Sequence, residues 1–150
     1  KTLLGIFEGM VPLHVVVPML MNTGATIAQY SDLASVLFVI VDSFPEQSRN
    51  WEPREVLDYL NDIFSALDFI CEKYAVMKIE TVSEEFVAAV GVVDEPVVED
   101  EKSHSEMLGD TIQAVLEMLE LQPAKGVAFR MGLHTGSVVG GVIGDKLPRF

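Results

Sequence analysis

The sequence predicts an α/β fold of the α+β kind, with a central, mostly antiparallel sheet covered by helices in the ferredoxin-like split-βαβ arrangement. Three observations carry that expectation. Ala34–Val41 (ASVLFVIV) is a near-continuous apolar run of strand length, the pattern of a strand covered on both faces. Residues 53–73 place Val56, Leu57, Leu60, Ile63, Phe64, Leu67 and Ile70 at helical spacing. Strand-like and helix-like stretches then interleave, with hairpins between them, in the order β, α, β, β, α, β, β.

Residues 1–33 read as an opening helix and linker, and residues 34–150 as the domain itself. The helical pattern over 2–22 is interrupted by Pro12 and Pro18, and Asn22 to Ser31 is polar. Asp42 to Trp51 is expected to be a loop. Pro53 suits the first turn of a helix, where its missing N–H costs nothing. Val76–Thr81 and Phe86–Val93 are expected strands around a turn at Ser83–Glu85. Asp94–His104 holds five acids, one proline and no periodicity, which predicts a solvated loop, with a cation site as the rival. Ser105 to Leu121 is a second helix, with Leu108, Ile112, Val115, Leu116 and Leu119 on one face. Pro123–Gly126 is a turn. Val127–Leu133 and Ser137–Ile143 are two strands around a turn at His134–Gly136. There is no internal repeat.

Composition narrows the function. A chain of 150 residues predicts one domain with one real core. Apolar residues make up 49% of it, which fits either a large core or a surface that meets a partner. The formal net charge of −13 excludes general binding to nucleic acid and to anionic membrane surfaces. A nucleoside triphosphate site would have to be built locally, from backbone N–H groups, metal ions or a partner's cations. Cys71 is the only cysteine, so no intrachain disulfide forms, in keeping with a reducing compartment; its place in a helical pattern predicts plain core. The apolar runs fall short of the ~18–20 residues of a membrane span. No signal-peptide pattern is present, because Val11–Met21 contains His14 and two prolines. A start at Lys1 is expected of a piece of a longer protein.

Two stretches carry chemistry. MKIETVSEEF, residues 77–86, begins as a buried strand yet holds Glu80, Glu84 and Glu85. A turn accounts for the last two and not for Glu80, between Ile79 and Thr81; the bland alternative for Glu80 is a strand-end surface carboxylate. FRMGLHTGSVVGGVIGDKLPRF, residues 129–150, has glycines at 132, 136, 140, 141 and 144. Glycine within strands marks bends or close backbone approach. The phosphate-cradling GxxxxGK[ST] loop is absent. A glycine-relieved hairpin packed against another chain is the simplest expectation, which makes Gly132, Gly136, Gly140, Gly141 and Gly144 candidate dimer-interface positions.

The second stretch closely resembles the class III adenylyl and guanylyl cyclase catalytic domain, whose pattern is R-x-G-I-H-T-G-x-V-x-x-G-x-x-G-x-x-x-P-R-Y. Arg130, Gly132, His134, Thr135, Gly136, Val138, Gly141, Gly144, Pro148 and Arg149 match in order. Met10–Val15 resembles the family's opening V-L-P-x-H-V. Ser35–Phe44 resembles V-L-F-x-D-I-V-G-F, and Lys78–Phe86 resembles K-[IV]-[EK]-T-[IV]-G-D-x-[YF]. His104 falls where the family often has a histidine opening a helix. A diguanylate cyclase would need a Gly-Gly turn, which Val82–Phe86 lacks.

The resemblance implies intramolecular attack of a ribose 3′-hydroxyl on the α-phosphate, helped by two metal ions, Mg or Mn. It also implies an active site shared between two domains, one holding the metals and the other reading the purine. This chain departs from the metal pattern. The first metal aspartate aligns with Ile40, and the second with Glu84, beside Ser83 in place of glycine. Asp42, ~6–7 Å further along the strand than Ile40, is a weak substitute ligand. The expected metals therefore come from the partner half, with none bound to this chain alone. Glu80 aligns with the family's purine selector. Guanine offers N1–H and N2–H₂ donors, and a carboxylate only accepts, whereas adenine N1 calls for a donor such as Lys. The family's second purine contact, and its ribose-orienting Asn and Arg, lie after the P-R-Y segment, so no catalytic residue is expected here and the C-terminal part of the family domain is missing. The resemblance thus predicts the purine-reading half of a cyclase, GTP favoured over ATP, dimerised with a second cyclase domain on the cytoplasmic side of a larger, membrane-anchored or soluble protein. The alternative is an inactive module that dimerises with a cyclase and regulates it.

Overall fold

The computed structural model describes residues 28–92 and 102–141. Strand β1 (Ala28–Val41) leads through a short helix α1 (Phe44–Gln47) and a 3-10 turn (Ser48–Asn50) into helix α2 (Pro53–Lys73). Strands β2 (Met77–Val82) and β3 (Glu85–Val90) form a hairpin, and helix α3 (His104–Lys125) precedes strand β4 (Phe129–Gly141). The four strands form one sheet in the order β2-β3-β1-β4, every neighbour pair antiparallel. The two long helices run through the β-α-β-β-α-β order of a split βαβ unit.

Local chemistry sets the helix bounds. Glu52 and Glu55 form a reciprocal cap at the start of α2, with Pro53 in its first turn. Ser103 and Glu106 do the same for α3, and Gly126, at φ 62°, ends it in the left-handed conformation. Helix α3 runs through Pro123, four residues beyond the expected end at Leu121. Pro123 lacks the N–H that would bond the Leu119 carbonyl, and the Gln122 side-chain amide donates to that carbonyl instead. Lys73 and Tyr74 both reach Glu117, and Lys125 reaches Asp62, so polar bonds tie the two helices together.

Alternation along the strands divides the sheet into two faces. Leu37, Val39 and Val41 of β1, with Phe86, Ala88 and Val90 of β3, pack under Ile63, Leu67, Ile70 and Cys71 of α2 and Ala114 and Met118 of α3. Each large side chain buried there contributes about 1.5–3 kcal/mol. Burial, with Asp68 nearby, pushes the Cys71 thiol up to about 12. Both helices lie on this one face.

Several expectations need correction. Strand β1 begins at Ala28, so part of the expected linker is strand, pairing with Val138–Gly141 beyond an irregularity at Ser31–Ala34. The Asp42–Trp51 loop contains α1 and the 3-10 turn, held by stacking of Phe44 on Tyr59 and by Trp51 edge-on to Tyr59. In place of the hairpin expected over 127–143, residues 129–141 form one continuous strand. Leu133, His134, Thr135 and Gly136 pair in unbroken register with Leu37, Val36, Ser35 and Ala34, so no chain reversal occurs at His134–Gly136. The pairing uses backbone groups, which glycine supplies as well as any residue. Helices cover one face of the sheet, where the apolar run of β1 predicted two. The opening helix, the acidic stretch over 94–101 and everything after Gly141 lie outside the described residues.

Candidate functional site

The other face of the sheet carries the candidate site residues. Directly opposed residues on neighbouring strands share a face. One row crosses all four strands there: Glu80, Val87, Phe38 and Gly132. The next row runs Val82, Glu85, Ile40 and Arg130. A small cluster of Ala34, Ala89 and Val92, with Val36, Ile79 and Val138 beside it, extends the face. Phe38 remains 45% exposed and Val82 42% exposed, so much of this apolar face is uncovered.

Glu80 is on this face because β2 is irregular. Lys78 turns toward the helices, its Nζ 2.9 Å from Asp68 Oδ2 on α2. Strict alternation would send Glu80 the same way. The register shifts between Lys78 and Glu80, which brings Glu80 opposite Val87. Glu80 is half-buried.

Ile40 and the turn between β2 and β3 meet at one end of the sheet. Ile40 lies between Glu85 and Arg130, and the Val41 amide donates to the Glu84 carbonyl at 3.0 Å. Ser83 holds a left-handed backbone at φ 52°, and its hydroxyl bonds the Glu84 carboxylate. That bond, then the backbone amide of Glu84, keeps the Glu84 carboxyl below the usual carboxylate range. Ser43, just past β1, is left-handed too, at φ 56°. Asp42 Oδ1 is 2.7 Å from Arg130 Nε. This ion pair joins two distant stretches of sequence that the separate motifs did not connect.

The sequence profile described as "Adenylate and Guanylate cyclase catalytic domain" matches residues 26–150. The chain belongs to that family. It is 29% identical over 149 residues to the receptor-type guanylate cyclase Gyc76C of Drosophila melanogaster, covering 94% of this chain and 9% of that protein. It is 32% identical over 120 residues to retinal guanylyl cyclase 2 of Rattus norvegicus, covering 79% of this chain and 11% of that protein. The chain thus spans about a tenth of the length of such curated relatives. Among solved structures it is similar to the catalytic core of a rhodopsin-guanylyl cyclase with converted specificity in complex with ATPαS. That match has 21% identity and a TM-score of 0.70, over 83% of this chain and 67% of the other. It also resembles the non-canonical dimeric guanylyl cyclase domain of the RhoGC fusion protein of Blastocladiella emersonii, with 24% identity and a TM-score of 0.68, over 83% and 68% of the two chains. These likenesses show the cyclase fold.

The residues that the resemblance aligns with the family's metal ligands do not fit a two-metal site. Ile40 has no donor atom. The Asp42 carboxylate is engaged by Arg130, and the Glu84 carboxylate by Ser83. Among the described residues, no group of three or more His, Cys, Asp or Glu side chains converges on a point. The candidate interface glycines Gly132, Gly136, Gly140 and Gly141 lie along β4, with Gly132 in the Glu80 row; Gly144 is outside the described residues.

A polar link that the motifs did not reveal spans the helix-covered side. The buried Ser35 hydroxyl is 2.8 Å from His104 Nε2 and 2.7 Å from Thr135 Oγ1. It joins β1, the first residue of α3 and β4. A histidine at the head of the helix was visible in the sequence; its strand partners were not.

Proposed function

We propose that this cyclase domain is the purine-reading half of a class III nucleotide cyclase, paired with a metal-competent partner half and favouring GTP over ATP. The observation that supports it best is the pair of rows on the open face. Ile40 occupies a ligand position with an aliphatic side chain, while Glu80, in the adjacent row, places a carboxylate, an acceptor-only group, on the same face. The uncovered apolar surface around Phe38 suits a second cyclase domain. A purine nucleoside triphosphate held between the two domains would meet Glu80 through its base edge. The partner half supplies the residues for Mg or Mn. Names such as receptor-type guanylate cyclase among the relatives support a place within a larger signalling protein, on the cytoplasmic side. Among the described residues, no helix is long and apolar enough to cross a membrane.

A second reading has its own support. With the Asp42 and Glu84 carboxylates both engaged within the chain, the domain suits a module that binds a cyclase and regulates it without reading nucleotide. The decisive assay measures cyclic nucleotide formation with Mg²⁺ or Mn²⁺, from GTP and from ATP. The chain alone is expected to be inactive, and the chain mixed with a metal-competent cyclase half active, with GTP preferred. Product from the chain alone overturns both readings. A partner whose activity changes while its GTP-to-ATP preference ignores Glu80 favours the regulatory module.

A further inference from the structure

Counted back from the turn, β2 meets β3 in order: Val82, Thr81 and Glu80 oppose Glu85, Phe86 and Val87. Unbroken alternation would continue with Ile79 opposite Ala88 and Lys78 opposite Ala89. Ala89 is on the open face, so Lys78 would stand there too, ~7 Å along the strand from Glu80. The irregularity at Ile79 prevents this. Lys78 opposes Ala88 instead, on the helix-covered face, while Ile79 packs beside the Ala34, Ala89 and Val92 cluster on the open one. One extra residue thus moves an ammonium from the open face to the back of the sheet.

The apolar residues of β2 do little to fix this choice. It is a six-residue strand at the end of the sheet, bonded to β3 alone, and none of its residues is fully buried. Register is weakly specified where so little buried surface depends on it. What holds Lys78 is its charge. Its Nζ lies 2.9 Å from Asp68 Oδ2 on α2 and 5.9 Å from the centre of the Phe86 ring. Phe86 is fully buried, so the ammonium stands at the margin of the core. A cation in that place needs a carboxylate, and among the described residues Asp68 supplies it. The other oxygen, Asp68 Oδ1, is buried with no hydrogen-bond partner among the described residues, so Lys78 is what turns this carboxylate inward.

We propose that Asp68 is a positioning residue for purine selection: from behind the sheet it holds the Lys78 ammonium on the helix-covered face and keeps it away from Glu80. This role rests on the reading of Glu80 as the purine contact. An ammonium released to the open face would engage the Glu80 carboxylate and offer N–H donors to the base edge. Adenine N1 accepts such donors, whereas the guanine N1–H and N2–H₂ groups are donors themselves. Asp68 thus acts on selectivity without touching nucleotide.

The test joins kinetics to a nucleotide-free measurement. In the reconstituted pair, Asp68→Asn should lower kcat/KM for GTP relative to ATP by at least about fivefold. Lys78→Met should keep the original preference, and so should the double variant, since neither has an ammonium to misplace. Asp68→Glu, which retains the charge, should keep it as well. In the chain alone, NMR should show the Lys78 Cε protons against the Phe86 ring and, in Asp68→Asn, next to Glu80 instead. An ammonium that stays against Phe86 in Asp68→Asn overturns the proposal. So does a Lys78→Met variant whose preference falls as far as that of Asp68→Asn, because the pair would then only support the fold. An unchanged preference in Asp68→Asn beside a shifted one in Glu80→Lys overturns the role of Asp68 alone. An unchanged preference in both overturns the purine-reading assignment, and the role of Asp68 with it.

Discussion

The two faces of the sheet are built from the same strands, yet they differ in what covers them. On one face Leu37, Val39, Phe86 and Ala88 are shielded by α2 and α3. On the other, Phe38 is nearly half exposed and Ile40 half-buried. The continuous apolar run of β1 predicts cover on both sides. Within the described residues the chain supplies it on one. Glu80, the proposed purine contact, lies on the side that the described residues leave open.

Stability breaks or upholds this contrast most directly. Phe86→Ala should cost about 3–5 kcal/mol, as for a filled core site, whereas Phe38→Ala in the isolated chain should cost less than about 1 kcal/mol. Equal losses in urea denaturation would mean that the open face is already closed.

Next in size is selectivity. In a reconstituted pair, Glu80→Lys sets donors against guanine's donors, a buried mismatch of about 1–3 kcal/mol. That corresponds to roughly a five- to 140-fold fall in kcat/KM for GTP relative to ATP. Glu84→Ala should change the same kinetics little, because no metal pair is assigned to it. Unchanged selectivity in the first variant, or a collapse of activity in the second, would mean that this chain is not the purine-reading half.

The sheet end next to Ile40 offers a smaller effect. The family patterns place glycine at both Ser43 and Ser83, and both serines keep the left-handed backbone that glycine adopts freely. Ser43 makes no capping bond with its side chain, so Ser43→Gly should stabilise the chain by about 0.5–1 kcal/mol, read as a higher denaturation midpoint. Ser83→Gly should gain less, since it also removes the hydroxyl that bonds Glu84.

The smallest prediction concerns pH. The Glu84 carboxyl titrates low in the folded chain, so its contribution is complete above the unfolded carboxylate pKa and is lost as pH falls through the folded value. Ser83→Gly should move that titration up toward the ordinary carboxylate range, followed at the Glu84 side-chain carbon by NMR. Glu84 is half-buried at a turn, and the accompanying change in stability should be slight. An unmoved titration would leave the backbone amide as the dominant partner.

Much of the fold is legible in the residues. Periodicity, with Pro53 suited to the first turn, locates α2 to the residue over 53–73. The pattern from Arg130 to Arg149 identifies the family. What failed was read from punctuation alone. The glycine at 136 suggests a turn, but β1 offers an uninterrupted partner and the strand runs on. Pro123 suggests a stop, but the Gln122 side chain covers the exposed carbonyl.

The sequence by itself determined the strand and helix types and the core-facing side of α2, but not that of α3, where Thr111, Ala114 and Met118 are buried while the expected Ile112, Leu116 and Leu119 are exposed. What it did determine depends on spacing along the chain. Only the tertiary structure decided which face Glu80 occupies, since one irregularity opposite β3 reverses the alternation that begins at Lys78. Only it joined Asp42 to Arg130 and Ser35 to His104 and Thr135. Register and long-range pairing arise from neighbouring strands competing for the same backbone hydrogen bonds, and that competition leaves no local periodic trace in the sequence.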